Sequence, residues 1–162
     1  MSNVSVEWRN LNVRRNRKYM HLQERLCSAK NRFTRKPLFE FNKDLMVFAA
    51  VLGYQFGLKE AIESDSVPIT LGIYASDEKD GFIYLLGLLA TKETGILKDE
   101  RLSDCIKIFE EYCNGGLKYL DSLLKENVQD TEGVDTLSDL IIEQLKKSVP
   151  DTEDNLPSIN FS

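Results

Sequence analysis

Apolar residues recur at intervals of three and four along most of the chain, the spacing that places them on one face of an α-helix. The pattern predicts helices over about residues 15–30, 42–54, 80–90, 103–125 and 137–147. The second of these segments is apolar around most of its circumference, so we expect it near the centre of the core. The chain is therefore predicted to be mainly α, a compact bundle of four to five helices.

Residues 58–78 do not follow the helical period, and Pro68 interrupts them. This stretch is either a short extended segment or the approach to a helix, so one short β pair near residues 67–75 stays open. In the last helix the spacing is expected to place four apolar side chains on one buried side: Leu137, Leu140, Ile141 and Leu145.

Composition places the chain among ordinary globular proteins, because 42% of its 162 residues are hydrophobic and 29% are charged. The longest apolar cluster, residues 45–54, is far shorter than the roughly 18–20 residues that cross a bilayer. The first residues are polar and basic, without the apolar stretch of a secretory signal. We therefore expect a cytoplasmic protein that does not enter a membrane.

Charge divides the chain unevenly. Residues 1–36 contain ten Lys and Arg against two acidic residues, whereas the remainder contains eleven basic and 24 acidic residues. We predict a basic N-terminal arm with a helix at 1–36, a helical domain at 37–148 and an acidic mobile tail at 149–162.

The basic arm is the candidate binding segment. Its cations could contact phosphates and release counterions, or dock on an acidic surface, either a partner's or the chain's own body. The apolar residues Leu22 and Leu26 within its helix favour a protein surface, where they would form the buried centre of an interface. The candidate partner- or nucleic-acid-binding residues are Arg14, Arg15, Arg17, Lys18, Leu22, Arg25, Leu26, Arg32, Arg35 and Lys36.

Residue types suited to catalysis are sparse and scattered. His21 is the only histidine and has no partner signalled by spacing, so it is interpreted as a structural or surface residue. Glu110 and Glu111 are adjacent in a helix and point apart. Cys105 and Cys113 are expected in the core, and no Cys/His spacing indicates zinc. We expect no catalytic residue, cofactor or metal; the opposing hypothesis, an enzyme such as a nuclease, needs acids that converge from distant segments.

The block Asn114-Gly115-Gly116 interrupts the longest helical pattern, and adjacent glycines cost about 1 kcal/mol each in a helix interior. Either the helix breaks at this block, or a second helix, residues 41–54, packs closely against the glycines. The same block lacks the spacing of a phosphate-binding loop. We interpret it as a structural motif.

Three segments carry a family resemblance: FNKDLMVFAAVLGYQFG (41–57), DGFIYLLGLLA (80–90) and IKIFEEYCNGGLKYL (106–120). Together they resemble the family of DNA phosphorothioation-associated protein 4, also called Dnd system-associated protein 4. The resemblance covers about residues 37–125, and Val51 and Cys113 each stand where the family usually has alanine.

The resemblance implies a role beside bacterial systems that place sulfur in the DNA backbone and restrict invading DNA. We therefore expect a non-enzymatic accessory or adaptor subunit of such a defence system, whose partners are other subunits of the complex. The alternative is a DNA-binding subunit that contacts nucleic acid through its basic N-terminal arm.

Overall fold

The computed structural model describes residues 7–149. Within them the chain forms six α-helices and one two-stranded sheet, so the mainly α prediction and the short β pair are both confirmed, with one helix more than expected. Short 3₁₀ turns precede and link these elements. The elements are β1 (Asn12–Asn16), α1 (Met20–Cys27), α2 (Asn42–Phe56), β2 (Ser66–Thr70), α3 (Leu71–Ala75), α4 (Asp80–Thr91), α5 (Leu102–Glu126) and α6 (Val134–Ser148).

The sheet joins the basic N-terminal segment to the middle of the chain. β1 pairs antiparallel with β2, and Val13 lies opposite Ile69. Strand alternation turns Val13 and Arg15 towards the core, where both are buried. Residues 58–78, which lack a helical period, thus contain β2 and the short helix α3.

The core is centred on the packing of α2 against α5. α2 buries Leu45, Met46, Ala49 and Ala50, as its apolar circumference predicted, and it ends at Gly57 in the left-handed conformation, with φ 65°. On α5 the apolar stripe is buried from one end to the other, and both predicted core cysteines are fully buried. This stripe consists of Cys105, Ile106, Phe109, Cys113, Leu117, Leu120 and Leu124.

The glycine pair of α5 lies where two other backbones approach the helix. A methyl group added at Gly116 would lie 2.6 Å from the carbonyl carbon of Ala49 in α2 and closer still to its oxygen. One added at Gly115 would overlap the carbonyl of Leu58, just after α2. Since α5 runs unbroken through both glycines, the predicted close approach is confirmed and the predicted break is wrong.

The last helix buries fewer residues than the sequence indicated. Leu137 and Leu140 of α6 are buried, but Ile141 and Leu145 are 45% and 61% exposed. α6 contacts the body along the narrow stripe between Leu137 and Leu140, and each further residue turns about 100° around the axis. Ile141 and Leu145 therefore lie on the solvent side.

The basic segment is part of the fold. β1 pairs with β2, and Leu22 and Leu26 of α1 are in the same hydrophobic core as α2 and α5. The residues before the predicted boundary at residue 36 therefore pack together with the helices that follow it. Of the predicted acidic tail, residues 150–162 lie outside the described residues. None of the helices between residues 7 and 149 is long and apolar enough to cross a membrane.

Candidate functional site

Arg14 and Arg17 of the predicted binding segment are held by acidic or polar groups of the body. The backbone N–H of Arg14 donates to Glu110 at 2.6 Å, and its guanidinium donates to Ser66. Arg17 forms an ion pair with Asp65, with 2.7 Å between Nε and Oδ1. The sequence left open whether the cations contact phosphates, a partner protein or the chain's own acidic body. Arg14 and Arg17 contact the chain's own body.

Arg15 is nearly inaccessible to any partner. Its side chain lies in the core with 1% of the residue exposed, and its guanidinium donates to Gln23 and to the sulfur of Met20. Its Nε and Nη1 atoms have no hydrogen-bond partner among the described residues. Burial lowers the pKa of this guanidinium. The prediction that Arg15 contacts a phosphate or a partner is wrong for this fold, because the strand turns it inward.

Leu22 and Leu26 are also unavailable for binding. Both are completely buried, and they pack with the core residues of α2 and α5. The apolar stripe of α1 therefore stabilises the fold, and the prediction that it forms the centre of a partner interface is wrong. A three-and-four spacing identifies the buried side of a helix but does not say which protein covers it.

Arg25 and Arg32 attach the segment to the end of α5 and the start of α6. Arg25 donates to the carbonyl oxygens of Leu124, Asn127 and Asp130, which close the C-terminus of α5. Such contacts satisfy carbonyls that a helix end leaves free, and the positive charge suits the helix dipole.

Arg32 forms an ion pair with Asp135, with 2.8 Å between Nη2 and Oδ2, and its backbone N–H donates to Glu132. Arg35 and Lys36 differ from the rest of the predicted set: both are exposed, and neither forms an ion pair within the described residues. Within the predicted set, Arg35 and Lys36 are therefore the two cations whose side chains have no partner in residues 7–149.

Asn114 of the glycine block is a fully buried anchor for the N-terminal strand. Its Oδ1 accepts the backbone N–H of Asn16 at 2.8 Å, and its Nδ2 donates to the carbonyl of Glu110. The Asn16 side chain in turn contacts the segment after α2: its Nδ2 donates to the carbonyl of Ala61, and its Oδ1 accepts the backbone N–H of Glu63. The three residues of the block thus have separate structural tasks: one holds β1, and two admit neighbouring backbones.

A polar groove that the sequence did not indicate lies beside this anchor. Glu60 accepts hydrogen bonds from Tyr19 at 2.8 Å and from Asn16 at 3.1 Å, and it pairs with Lys18 at 2.6 Å. Burial acts against ionisation here, but the bonds from Lys18, Tyr19 and Asn16 prevail and lower the pKa of Glu60. The carboxylate is therefore a fixed anion near neutral pH.

The far side of the groove contains the only histidine. His21 Nε2 lies 2.6 Å from Oδ1 of Asp121, and Lys125 reaches the other oxygen of the same carboxylate at 2.6 Å. Although burial opposes ionisation, these bonds lower the pKa of Asp121. Residues one hundred positions apart form this pair, so no local spacing could have predicted it. The groove, about 390 Å³, holds two ionised carboxylates that are already matched by cations.

The pKa of Glu110 is shifted in the opposite direction from the pKa values of Glu60 and Asp121. Burial raises its pKa to about 7, from an ordinary value of 4.5, and the hydrogen bond from the backbone of Arg14 only partly offsets this. Glu110 therefore binds its proton more tightly in the folded chain than in the unfolded chain. Its role is the fixing of β1 on α5, so the expected consequence concerns stability.

We expect the free energy of unfolding to fall as pH rises from about 4.5 to about 7. Over this range the unfolded chain loses the Glu110 proton to solvent more readily than the folded chain, in which deprotonation leaves a buried negative charge. Glu110→Gln keeps an acceptor for Arg14 and should flatten this part of the curve and raise stability at pH 7.5. Urea denaturation at a series of pH values measures both effects. Glu126→Gln, which removes an exposed carboxylate at the end of the same helix, should leave the slope unchanged. An unchanged slope in Glu110→Gln would contradict the assignment.

Helices α4 and α6 each present exposed apolar side chains. On α4, Phe82 and Leu85 are 40% and 48% exposed and lie three residues apart, on one face of the helix. On α6, the exposed stripe contains Ile141, Ile142 and Leu145. Among residues 7–149, no three His, Cys, Asp or Glu side chains come together as a metal site requires.

Comparison with known proteins identifies the family. The family model described as DNA sulphur modification system-associated protein 4 matches residues 12–158, which confirms the resemblance seen in the sequence. The match begins at β1, so residues 12–36 of the basic segment, which lie outside the resemblance, belong to the family region. No curated protein and no solved structure matches the chain.

Proposed function

Because the chain belongs to the family of DNA sulphur modification system-associated protein 4, we propose that it is a non-enzymatic accessory subunit, an adaptor that binds other proteins of such a system. The observation that carries this proposal is the outer face of α4. The polar groove is consistent with a non-enzymatic role, since both of its carboxylates are ionised and already paired.

Helix α4 is apolar on both sides. Its inner side, with Ile83 and Leu86, is buried, and Gly87 packs on α5 so closely that an added methyl group would lie 2.7 Å from the sulfur of Cys105. Its outer side presents Phe82 and Leu85 to solvent. A helix that is hydrophobic all round is normally covered all round, so the outer side fits a protein partner.

The surroundings of α4 also suit a partner's anchoring side chain. An open cavity of about 280 Å³ lies between α4 and the turns that precede α5, lined among others by Trp8, Tyr84 and Leu97. Trp8 and Leu97 are themselves exposed, at 37% and 48%. Aromatic residues around an apolar pocket are the usual composition of an interface centre.

The test is affinity capture of the tagged protein from its native host, with the co-purified proteins identified by mass spectrometry. Phe82→Ser with Leu85→Ser should reduce capture of the sulphur-modification proteins by about tenfold or more, because the residues would lie at the interface centre. Val51→Ser with Val128→Ser removes two exposed apolar side chains elsewhere and should leave capture intact.

Circular dichroism must show that both double variants remain folded. Equal capture by the α4 variant and the wild type would contradict the proposal. A protein that captures only itself would assign the α4 face to self-association instead, which size-exclusion chromatography with light scattering detects.

The alternative function is direct DNA binding through the basic arm. Arg14, Arg17 and Lys18 support it little, because their side chains already contact other groups of the chain. A phosphate would have to displace Asp65 from Arg17 or Glu60 from Lys18. Among the cations of residues 12–36, three have no side-chain partner in the described part of the chain, and all three lie in the loop between α1 and α2: Lys30, Arg35 and Lys36.

A further inference from the structure

We propose that the loop between α1 and α2, residues 28–41, binds single-stranded nucleic acid, with a base stacked on Phe33 and phosphates held by Lys30, Arg35 and Lys36. This inference is independent of the protein-binding role proposed for α4. It starts from a combination of features: a large exposed aromatic ring lies on a loop that is rich in cations and held by internal hydrogen bonds.

Asn31 organises the loop from within. Only 6% of this residue is exposed. Its Oδ1 accepts the backbone N–H groups of Phe33 and Thr34 at 2.9 and 2.8 Å, and its Nδ2 donates to the Thr34 hydroxyl and to the carbonyl of Lys36. The backbone N–H of Asn31 also donates to Lys36, at 2.9 Å. A loop fixed in this way loses little conformational freedom when it binds, which favours affinity.

The loop is attached to the body on both sides of Phe33. Arg32 reaches Asp135 at the start of α6, and the backbone N–H of Phe39 donates to the carbonyl of Leu26 at 3.0 Å. Arg35 adopts the left-handed conformation, with φ 60°. That conformation closes the turn between Asn31 and Lys36 and is one that favours glycine or asparagine.

Phe33 is 70% exposed, so its side chain contributes little to the hydrophobic core. Its ring is held against the Arg32 guanidinium, whose central carbon lies 4.9 Å from the ring centroid. Arg32 is paired with Asp135, so the ring and the guanidinium form a largely open platform beside the start of α6. Nucleobases stack on such aromatic platforms without regard to sequence.

The charges around the platform favour a polyanion. Lys30, Arg35 and Lys36 are exposed and form no ion pair within residues 7–149, and the segment's only acid is Glu40. Two acids of the body that contact the loop, Glu132 and Asp135, are engaged by Arg32. An acidic protein would satisfy the cations and leave the ring uncovered, whereas a nucleic acid strand satisfies both. A duplex keeps its base faces stacked inside, which selects the single strand.

The experiment uses the full chain and a fluorescein-labelled oligothymidylate of about 20 nucleotides, with fluorescence anisotropy at several salt concentrations. Phe33→Ala should weaken binding by roughly 5- to 150-fold, the loss expected for one stacked base. Phe33→Trp should restore it. Arg35→Gln with Lys36→Gln should reduce the log–log salt slope by about 1.4, or 0.7 for each phosphate of a single strand.

Lys98→Gln with Lys107→Gln removes the same charge outside the loop, from two exposed lysines, and should change binding little. Any of four results would overturn the proposal: no binding below about 100 μM at about 50 mM salt, equal binding by Phe33→Ala, equal loss in the Lys98/Lys107 control, or equal affinity for a duplex of the same length. Displacement of the oligonucleotide by polyglutamate at equal charge concentration would also overturn it, since charge alone would then explain binding. Phe33→Ala should still capture the protein partners, so failure here and failure of the adaptor role are separable.

Discussion

Replacing Gly116 by alanine should strongly destabilise the fold, although alanine is the better helix former. The added methyl group would enter the carbonyl group of Ala49 in α2, and both partners of this contact are helix backbone. Neither can rotate out of the way as a side chain could, so the two helices of the core must move apart. We expect a loss at or above the upper end of the about 1–3 kcal/mol that overpacking usually costs.

Gly81→Ala provides the matched control. Gly81 lies in the first turn of α4, and an added methyl group there would meet no atom within 4 Å. The same substitution should therefore leave stability unchanged or raise it by about 0.5–1 kcal/mol, the usual advantage of alanine in a helix. Thermal or urea denaturation of both variants gives the comparison. A Gly116→Ala protein that melts at or above the wild-type temperature would show that the two helices are not in close contact.

Replacing Leu22 by alanine should cost about 2–5 kcal/mol of folding free energy, the usual range for a buried leucine that leaves a cavity. Leu22 is completely buried in the core that α1 shares with α2 and α5. Urea denaturation at equilibrium measures the loss directly. A large effect would place α1 firmly among the elements that stabilise the domain.

The control for this result is Arg17→Gln. Arg17 pairs with Asp65, but both side chains are more than half exposed, and an exposed ion pair contributes about 0–1 kcal/mol. If Leu22→Ala left the unfolding free energy unchanged while weakening capture of a partner protein, α1 would be a docking helix and its buried position would be wrong.

The sequence was sufficient for the helices and for the central packing, because these depend on local periodicity. The three-and-four pattern identified α2, α4 and α5, and the two possible explanations of the Gly115-Gly116 pair included the right one. Periodicity could not choose between them, since the carbonyl groups that meet the glycines belong to Ala49 and Leu58, far away in sequence.

The same limit explains what the sequence missed. β1 is five residues long and gives no reliable alternation, and its partner β2 lies some fifty residues later. The pairing of His21 with Asp121 spans one hundred residues. Basic composition indicated a binding arm, but charge alone does not distinguish Arg17, which meets an acid of its own chain, from Arg35, which meets none in the described residues.

The hydrogen bonds that attach β1 to α5 have a consequence for synthesis. Arg14 and Asn16 donate backbone N–H groups to Glu110 and Asn114, which are translated 96 and 98 residues later. At about 5–20 residues per second, the first strand waits on the order of 5–20 seconds on the ribosome before these acceptors exist. During that interval its free edge can pair with other chains, so chaperones that bind extended segments have a defined period in which to act.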